Sequence, residues 1–366
     1  MKELLLKWYK SQNSIKRSIA LFIMTIFMIG FLDLNSIKKT RDKIVRTGAS
    51  KNPTRLFWDI LIWNLIFGYD PSSYAECDFI NKSAKERLTF LSSTEQILFS
   101  RSINLDAKIS ILDNKKNTYE FFKDYFHREQ LLLKSAEDYP CFEEFSKKHQ
   151  RFFCKPFSGA LGKGSGIIDG REIEPKQAFD NLISAGSYIL EELIEQCPEM
   201  SQFNSSSVNT VRTALINTCN GVEMLFAEIR CGRAGSIVDN GGSGGILIPC
   251  DIETGYLCKY GYDGSGQKYT CHPDSKVMFE NFQVPRWKEV VELSKKLMVK
   301  IPGLKYVGWD IALTNENLVL VEGNSRPMFG GLQGLHKTGF KNELLDILKT
   351  DKIPAALRIK QKEIFQ

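Results

Sequence analysis

The sequence lacks any run approaching the roughly 20 apolar residues that a membrane-spanning helix requires. Its most apolar stretch, Ile19 to Leu32, follows a basic flank and leads into no small-x-small cleavage site, which argues against a secretory signal. No Cys-x-x-Cys pair occurs among nine cysteines, and an odd number completes no disulfide framework, so a reducing cytoplasm is the expected compartment. Cys250, Cys258, Cys271 and His272 match no common zinc-ligand spacing. Ser/His/Asp and Cys/His constellations are missing too, which removes the usual routes to a covalent nucleophile. There is no basic block: 49 Lys and Arg stand against 43 Asp and Glu, spread along the chain. That small excess suits an anionic ligand and gives no reason to expect nucleic acid.

With no internal repeat and no low-complexity tract, 366 residues are enough for two or three subdomains with substantial cores. Residues 1–95 read as mainly helical. A second apolar segment there, LFWDILIWNLIF from Leu56, is interrupted only by Asp59 and Asn64. The two apolar segments fit a helix pair packed on the protein body, or a peripheral patch on the cytoplasmic side of a membrane. DPSSY at 70–74 reads as a break. Within 96–150, an Asp-Asn turn precedes a helix with Tyr119, Phe122, Tyr125 and Phe126 on one face. From 151 onward strand-like pieces alternate with loops and few helices, giving an α+β class in which strands carry most candidate residues. A helix over Arg286–Lys300 has an apolar stripe suited to a sheet, a short helix begins near Leu344, and the basic tail over 351–366 is expected to be exposed.

The glycine-rich stretch CKPFSGALGKGSG, residues 154–166, supplies Gly159, Gly162, Gly164 and Gly166 with Ser158 and Ser165. Successive uncovered N–H groups in such a loop can cradle phosphate oxygens. It is not a P-loop, because Lys163 is followed by Gly164 instead of Ser or Thr. Strand alternation would aim Lys155 at whatever the loop covers. Far downstream, VGWDIALTNENLVLVEGNSRP puts an acid on each of two strands joined by an Asn-rich turn. Paired as a hairpin, these strands bring Asp310 near Glu322, with Asn324 on the same face. Two carboxylates and an amide oxygen are hard donors of the kind magnesium takes beside substrate phosphates.

Strand lysine, glycine loop, EELI segment and D…E-x-N together resemble the ATP-grasp superfamily. EELIEQCPEMSQFNSSSVNTVRTALI and AEIRCGRAGSIVDNGGSGGILIPCDIETG narrow the resemblance to the sugar-transfer-associated ATP-grasp family, related to α-L-glutamate ligases, over roughly residues 75–345. The resemblance implies two α+β subdomains clasping ATP, with a lid over 151–200 and a metal-bearing part over 201–350. It implies that Lys155 and Lys115 contact phosphates, with Lys116 competing for the second role. Glu191, Glu192 and Ile194 would meet adenine, and Asp310, Glu322 and Asn324 would hold probably two Mg2+ ions. Arg212 and Arg230 would meet the γ phosphate and an acyl phosphate. Asn240 with Gly244 and Gly245 matches an N…GG element, and Arg326 is a further anion contact without a firm counterpart.

The implied reaction is ATP-dependent ligation of a carboxylate, on a saccharide or small molecule in polysaccharide assembly, to an amine or amino acid through an acyl phosphate. Two other readings stay open: phosphoryl transfer to a hydroxyl, and a non-catalytic nucleotide-binding partner of a glycosyltransferase. The α/β domain that helps form the acceptor site in many ATP-grasp ligases is not visible, and helical apolar sequence stands in its place.

Overall fold

The computed structural model describes residues 33–50, 52–104, 107–158, 164–239, 244–264, 266–329, 332–334 and 337–362. The Ile19–Leu32 segment, Gly159, Gly162 and Asn240 lie outside these residues. The N-terminal part is built from helices Leu34–Arg46, Pro53–Phe67 and Pro71–Glu76, each started by a side-chain cap. Asp33, Asn52 and Asp70 accept from the first free N–H groups, which would otherwise lack partners. DPSSY is therefore both a stop and a start: Gly68 ends one helix at a left-handed φ of 75°, and Asp70-Pro71 begins the next.

The apolar segment from Leu56 divides its faces. Leu56, Ile60 and Trp63 join Ile37, Tyr74, Phe79 and Phe90 in a core, while Trp58, Ile62 and Ile66 are exposed. Asp59, which interrupts the apolar run, pairs with Arg87 at 2.8 Å, and that guanidinium lies 5.1 Å from the Trp63 ring centroid. Among the described residues no helix is long and apolar enough to cross a membrane.

A four-stranded antiparallel sheet follows, formed by β1 (Gln130–Leu133), β2 (Arg151–Pro156), β3 (Gly166–Asp169) and β4 (Tyr188–Glu192) in the order β1-β4-β2-β3. Helices Tyr139–Lys148 and Pro175–Ala185 cover one face, burying Phe142, Phe145, Phe152, Phe179 and Leu190. The glycine-rich stretch joins β2 to β3. Gly164, at φ 77°, takes a backbone conformation that a side chain disfavours.

The second sheet has seven strands, β5 (Thr210–Thr218), β6 (Gly221–Cys231), β7 (Ile246–Cys250), β8 (Gly261–Asp263), β9 (Lys268–Tyr269), β10 (Tyr306–Leu313) and β11 (Leu318–Asn324). Their order is β11-β10-β5-β6-β7-β8-β9, and each neighbouring pair is antiparallel. One face buries Trp309, Ile311 and Val211 with Val290, Leu297 and Met298 of helix Trp287–Lys300. The other face is shared. Ala214, Ile216 and Tyr306 pack on helix Lys341–Thr350 through Leu344, Ile347 and Leu348, whereas Arg212, Glu228 and Asp310 open onto a cleft. The tail expected to be exposed is anchored instead: Leu357 is fully buried, and Arg358 pairs with Glu223 at 3.0 Å and donates to the Met224 carbonyl at 2.8 Å. One buried leucine outweighs the basic composition around it.

Gly323 of β11 lies on the packed face, against Trp309. A Cβ there would meet the Trp309 ring at 2.6 Å and Leu112 at 2.8 Å. Gly323→Ala is expected to lower stability by about 1–3 kcal/mol, read from the urea unfolding midpoint, because a buried indole has no room to yield.

Candidate active site

Strand register assembles the floor of the cleft. Glu322, Asp310, Arg212 and Glu228 stand opposite one another on β11, β10, β5 and β6. At ordinary strand spacing such a row of four spans about 14 Å. A bulge follows Asp310 in the β10–β11 pairing, leaving Asp310 opposite Glu322 while Ile311 pairs with Leu320. Asn324 lies two residues beyond Glu322 on the same face, opposite Gly308.

Asp310 is buried and held by two guanidinium groups. Arg212 donates to it from Nε and, at 2.6 Å, from Nη2, and Arg230 Nη1 donates at 3.3 Å. Burial alone would raise the Asp310 pKa, but the Arg212 and Arg230 charges outweigh it and hold the carboxyl below the usual range. Glu228 differs: burial pushes its pKa up, and the arginines offset this only in part. Glu228 Oε2 and Arg230 Nε are buried with no hydrogen-bond partner. Unpaired polar atoms at the bottom of a cleft are costly unless something binds there.

The small sheet forms the facing wall. Lys155 Nζ lies 3.0 Å from Glu191 Oε1, to which Arg128 Nη2 also donates at 3.2 Å and Gln130 Nε2 at 2.6 Å. Lys115 reaches the same place from its own helix and donates to the Pro156 carbonyl at 2.9 Å. Its pKa is lowered by burial and by the neighbouring Lys155 charge. Lys116 points elsewhere, pairing on the surface with Glu120 at 3.4 Å.

The remaining sequence candidates divide. Glu192, Ile194, Ser165, Gly244 and Asn324 line the cleft. Ser158, Gly164, Gly166, Gly245 and Arg326 are not part of its lining. Arg326 instead pairs with Asp113 at 3.1 Å and donates its backbone N–H to Asn324 Oδ1 at 2.8 Å. Polar cleft residues not singled out from the sequence include Arg128, Glu228 and Asp239. Glu228 could have been found from its place two residues before Arg230 on one strand.

The model of the sugar-transfer associated ATP-grasp family matches residues 93–349. The chain belongs to that family. Its fold is the ATP-grasp fold, preceded by a helical N-terminal region. Among solved structures it is similar to N5-carboxyaminoimidazole synthetase from Staphylococcus aureus complexed with ADP, with 13% identity and a TM-score of 0.44 over 70% of this chain and 59% of that one. It is also similar to D-alanyl-alanine synthetase A from Vibrio cholerae, with 12% identity and a TM-score of 0.41 over 66% of this chain and 65% of that one. The ATP-grasp ligase PsnB complexed with its minimal precursor gives 15% identity and a TM-score of 0.39 over 66% of this chain, which spans 62% of that protein. No curated protein matches the chain.

An ATP-grasp protein implies magnesium beside the nucleotide. The donors here fit a hard cation that keeps waters and substrate oxygens, since Glu322, Asp310 and Asn324 supply oxygens on one face. No group of three or more His, Cys, Asp or Glu is arranged for a metal among the described residues.

Glu191 gives this family member an acid-sensitive joint. Burial alone would raise its pKa, yet the Arg128 and Lys155 charges outweigh burial and bring it to about 2. The stabilisation this provides is fully present above the ordinary glutamate value of 4.5 and is lost as pH falls from there toward about 2. Urea midpoints measured across that window should fall more steeply for the natural protein than for Glu191→Gln.

Proposed function

We propose that the protein is an ATP-dependent carboxylate–amine ligase. The observation that carries this reading is one cleft in which Lys115 and Lys155 of one wall face Glu322, Asp310, Arg212 and Arg230 of the other. Lys155 and Lys115 are placed to contact phosphates, and Glu192 and Ile194 line the wall at the end of β4 where an adenine edge would rest. Asp310, Glu322 and Asn324 would hold magnesium, as two ions, which on binding supplies charge neutralisation for the transferring phosphoryl group.

In this reading a carboxylate oxygen of the substrate attacks the γ phosphorus and ADP leaves, giving an acyl phosphate. An amine then attacks the acyl carbon, phosphate departs and the amine nitrogen loses a proton. Arg212 and Arg230 supply fixed positive charge where the phosphoryl oxygens gather, and they need no rearrangement during the step beyond sharing Asp310. The side chains position and neutralise, which suits a sequence without a nucleophilic triad. A sugar carboxylate and an amino acid in cytoplasmic polysaccharide assembly are the substrate classes that fit the family's name.

The test is release of ADP and phosphate from magnesium-ATP against a panel of uronic acids and amino acids, with products resolved by mass. The expected result is turnover that needs both a carboxylate and an amine and yields their amide. Phosphate retained on a hydroxyl product would replace the ligase by a kinase, and nucleotide bound without turnover across the panel would leave a binding protein.

A further inference from the structure

The family match begins at residue 93, yet the cleft does not end where that match ends. Its volume of about 1690 Å³ is well above the roughly 300–1,000 Å³ of an ordinary small-molecule site, so space remains beside a nucleotide. The far wall comes from helices Leu34–Arg46 and Pro71–Glu76, which bring Lys43 and Glu76 to Tyr262, Asp263 and Lys337.

Two half-buried cations, Lys43 and Lys337, line this end. Lys43 Nζ donates to the Gly264 carbonyl at 3.1 Å. Lys337 Nζ donates to the Glu76 carbonyl and lies 5.0 Å from the Tyr262 ring centroid. Neither ammonium has a carboxylate oxygen within 4.0 Å among the described residues. Burial is the main reason that both have lowered pKa values, and nearby acids offset it only in part. Asp78 acts on Lys337 alone, and the two acids nearest Lys43, Glu76 and Asp263, are weakened as competitors. Glu76 is pushed up to about 7 by burial and by the Asp70 charge, so near neutrality it is only partly ionised. Asp263 is already engaged, accepting from the Gln267 N–H at 3.1 Å and the Tyr269 hydroxyl at 3.2 Å. A cation held by carbonyls, short of a counter-charge and facing open cleft, is a site for an anion.

We propose that this end of the cleft is the acceptor subsite, where Lys43 and Lys337 bind an anionic group, carboxylate or phosphate, of the substrate that is not the nucleotide. The proposal rests on the ATP-dependent ligase reading and names the chemistry of its second substrate. The helical N-terminal region is then part of the active site.

The test is equilibrium dialysis of the full chain, saturated with magnesium and a non-hydrolysable ATP analogue, against glucuronate and against glucose 1-phosphate. One of the two should bind saturably, and which one tells a carboxylate source from a phosphate source. Lys43→Gln and Lys337→Gln should each weaken it about tenfold, the loss of one charge-assisted contact, with the analogue's affinity unchanged. If Lys337→Gln loses the analogue as well, Lys43→Arg takes its place: retained probe binding supports the subsite, and lost binding counts against it. Binding of neither probe, binding equal in the variants and the natural protein, or displacement of the probe by the analogue overturns the proposal. Absence of an amide product with the probe still bound would remove the ligase reading and leave the subsite standing.

Discussion

Glu322→Gln should lower turnover by about 10²–10³-fold, the scale on which charge stabilisation at a transferring group is lost. The side chain is exposed on β11 and belongs to no core cluster, so the variant should unfold at the natural urea concentration and still bind nucleotide. Steady-state ADP release and nucleotide titration on the same preparation separate these effects. Asp310→Asn makes a useful contrast. It removes the charge that pairs with both Arg212 and Arg230, leaving two partly buried cations without their hydrogen-bonded counter-ion, so it should lose stability as well as activity. Turnover by Glu322→Gln at the natural rate would end the assignment of β11 as a metal-holding strand.

Arg128→Ala should cost about 3–5 kcal/mol of folding stability, the range for breaking a buried ion pair by removing one member. Arg128 is buried, donates to the Leu320 carbonyl at 2.8 Å and the Phe126 carbonyl at 3.3 Å, and lies over the Phe126 ring at 4.7 Å. With Glu191 as its other partner it bolts β4 of the small sheet to β11 of the large one. Urea unfolding is the measurement, with Glu191→Gln and the double variant completing a cycle. The two single losses should fail to add by about 0.5–3 kcal/mol, because each removes the same contact. Strict additivity, or a loss below about 1 kcal/mol, would mean that the two sheets are held together elsewhere.

Much of the fold was legible because alternation writes a strand directly into its residues. RFFCKP, TVRTALI, EMLFAEIRCG, VGWDIALT and LVLVEGNS each contain a strand, and the short Asn-rich turn makes Asp310 and Glu322 neighbours. Helix Pro175–Ala185 was harder to see among strand-like pieces, although Pro175 sits where a helix accepts proline. What lay beyond reach depends on contacts distant in sequence. Asp310 and Arg212 stand 98 residues apart, and only register sets them opposite each other as a pair. Arg128 stands alone in sequence, and its partners are on β4 and β11. The apolar spacing at the start of the chain announced its helices, but the contact of Lys43 with Gly264 joins residues 221 apart in sequence.

The charged row across β11, β10, β5 and β6 also lets folding proofread the cleft. Side chains alternate with a period of two, so slipping any of these pairings by one residue turns a charge into the packed face and an apolar side chain out toward the cleft. For β10 such a slip would exchange Asp310 with Trp309 or Ile311, both fully buried among aliphatic neighbours. The energetic penalty for an unpaired charge there would unfold the mistake before it could reach a substrate. A polypeptide that survives as a compact molecule has therefore already aligned its acids and guanidinium groups, and a slip of register in these strands should be met as lost protein.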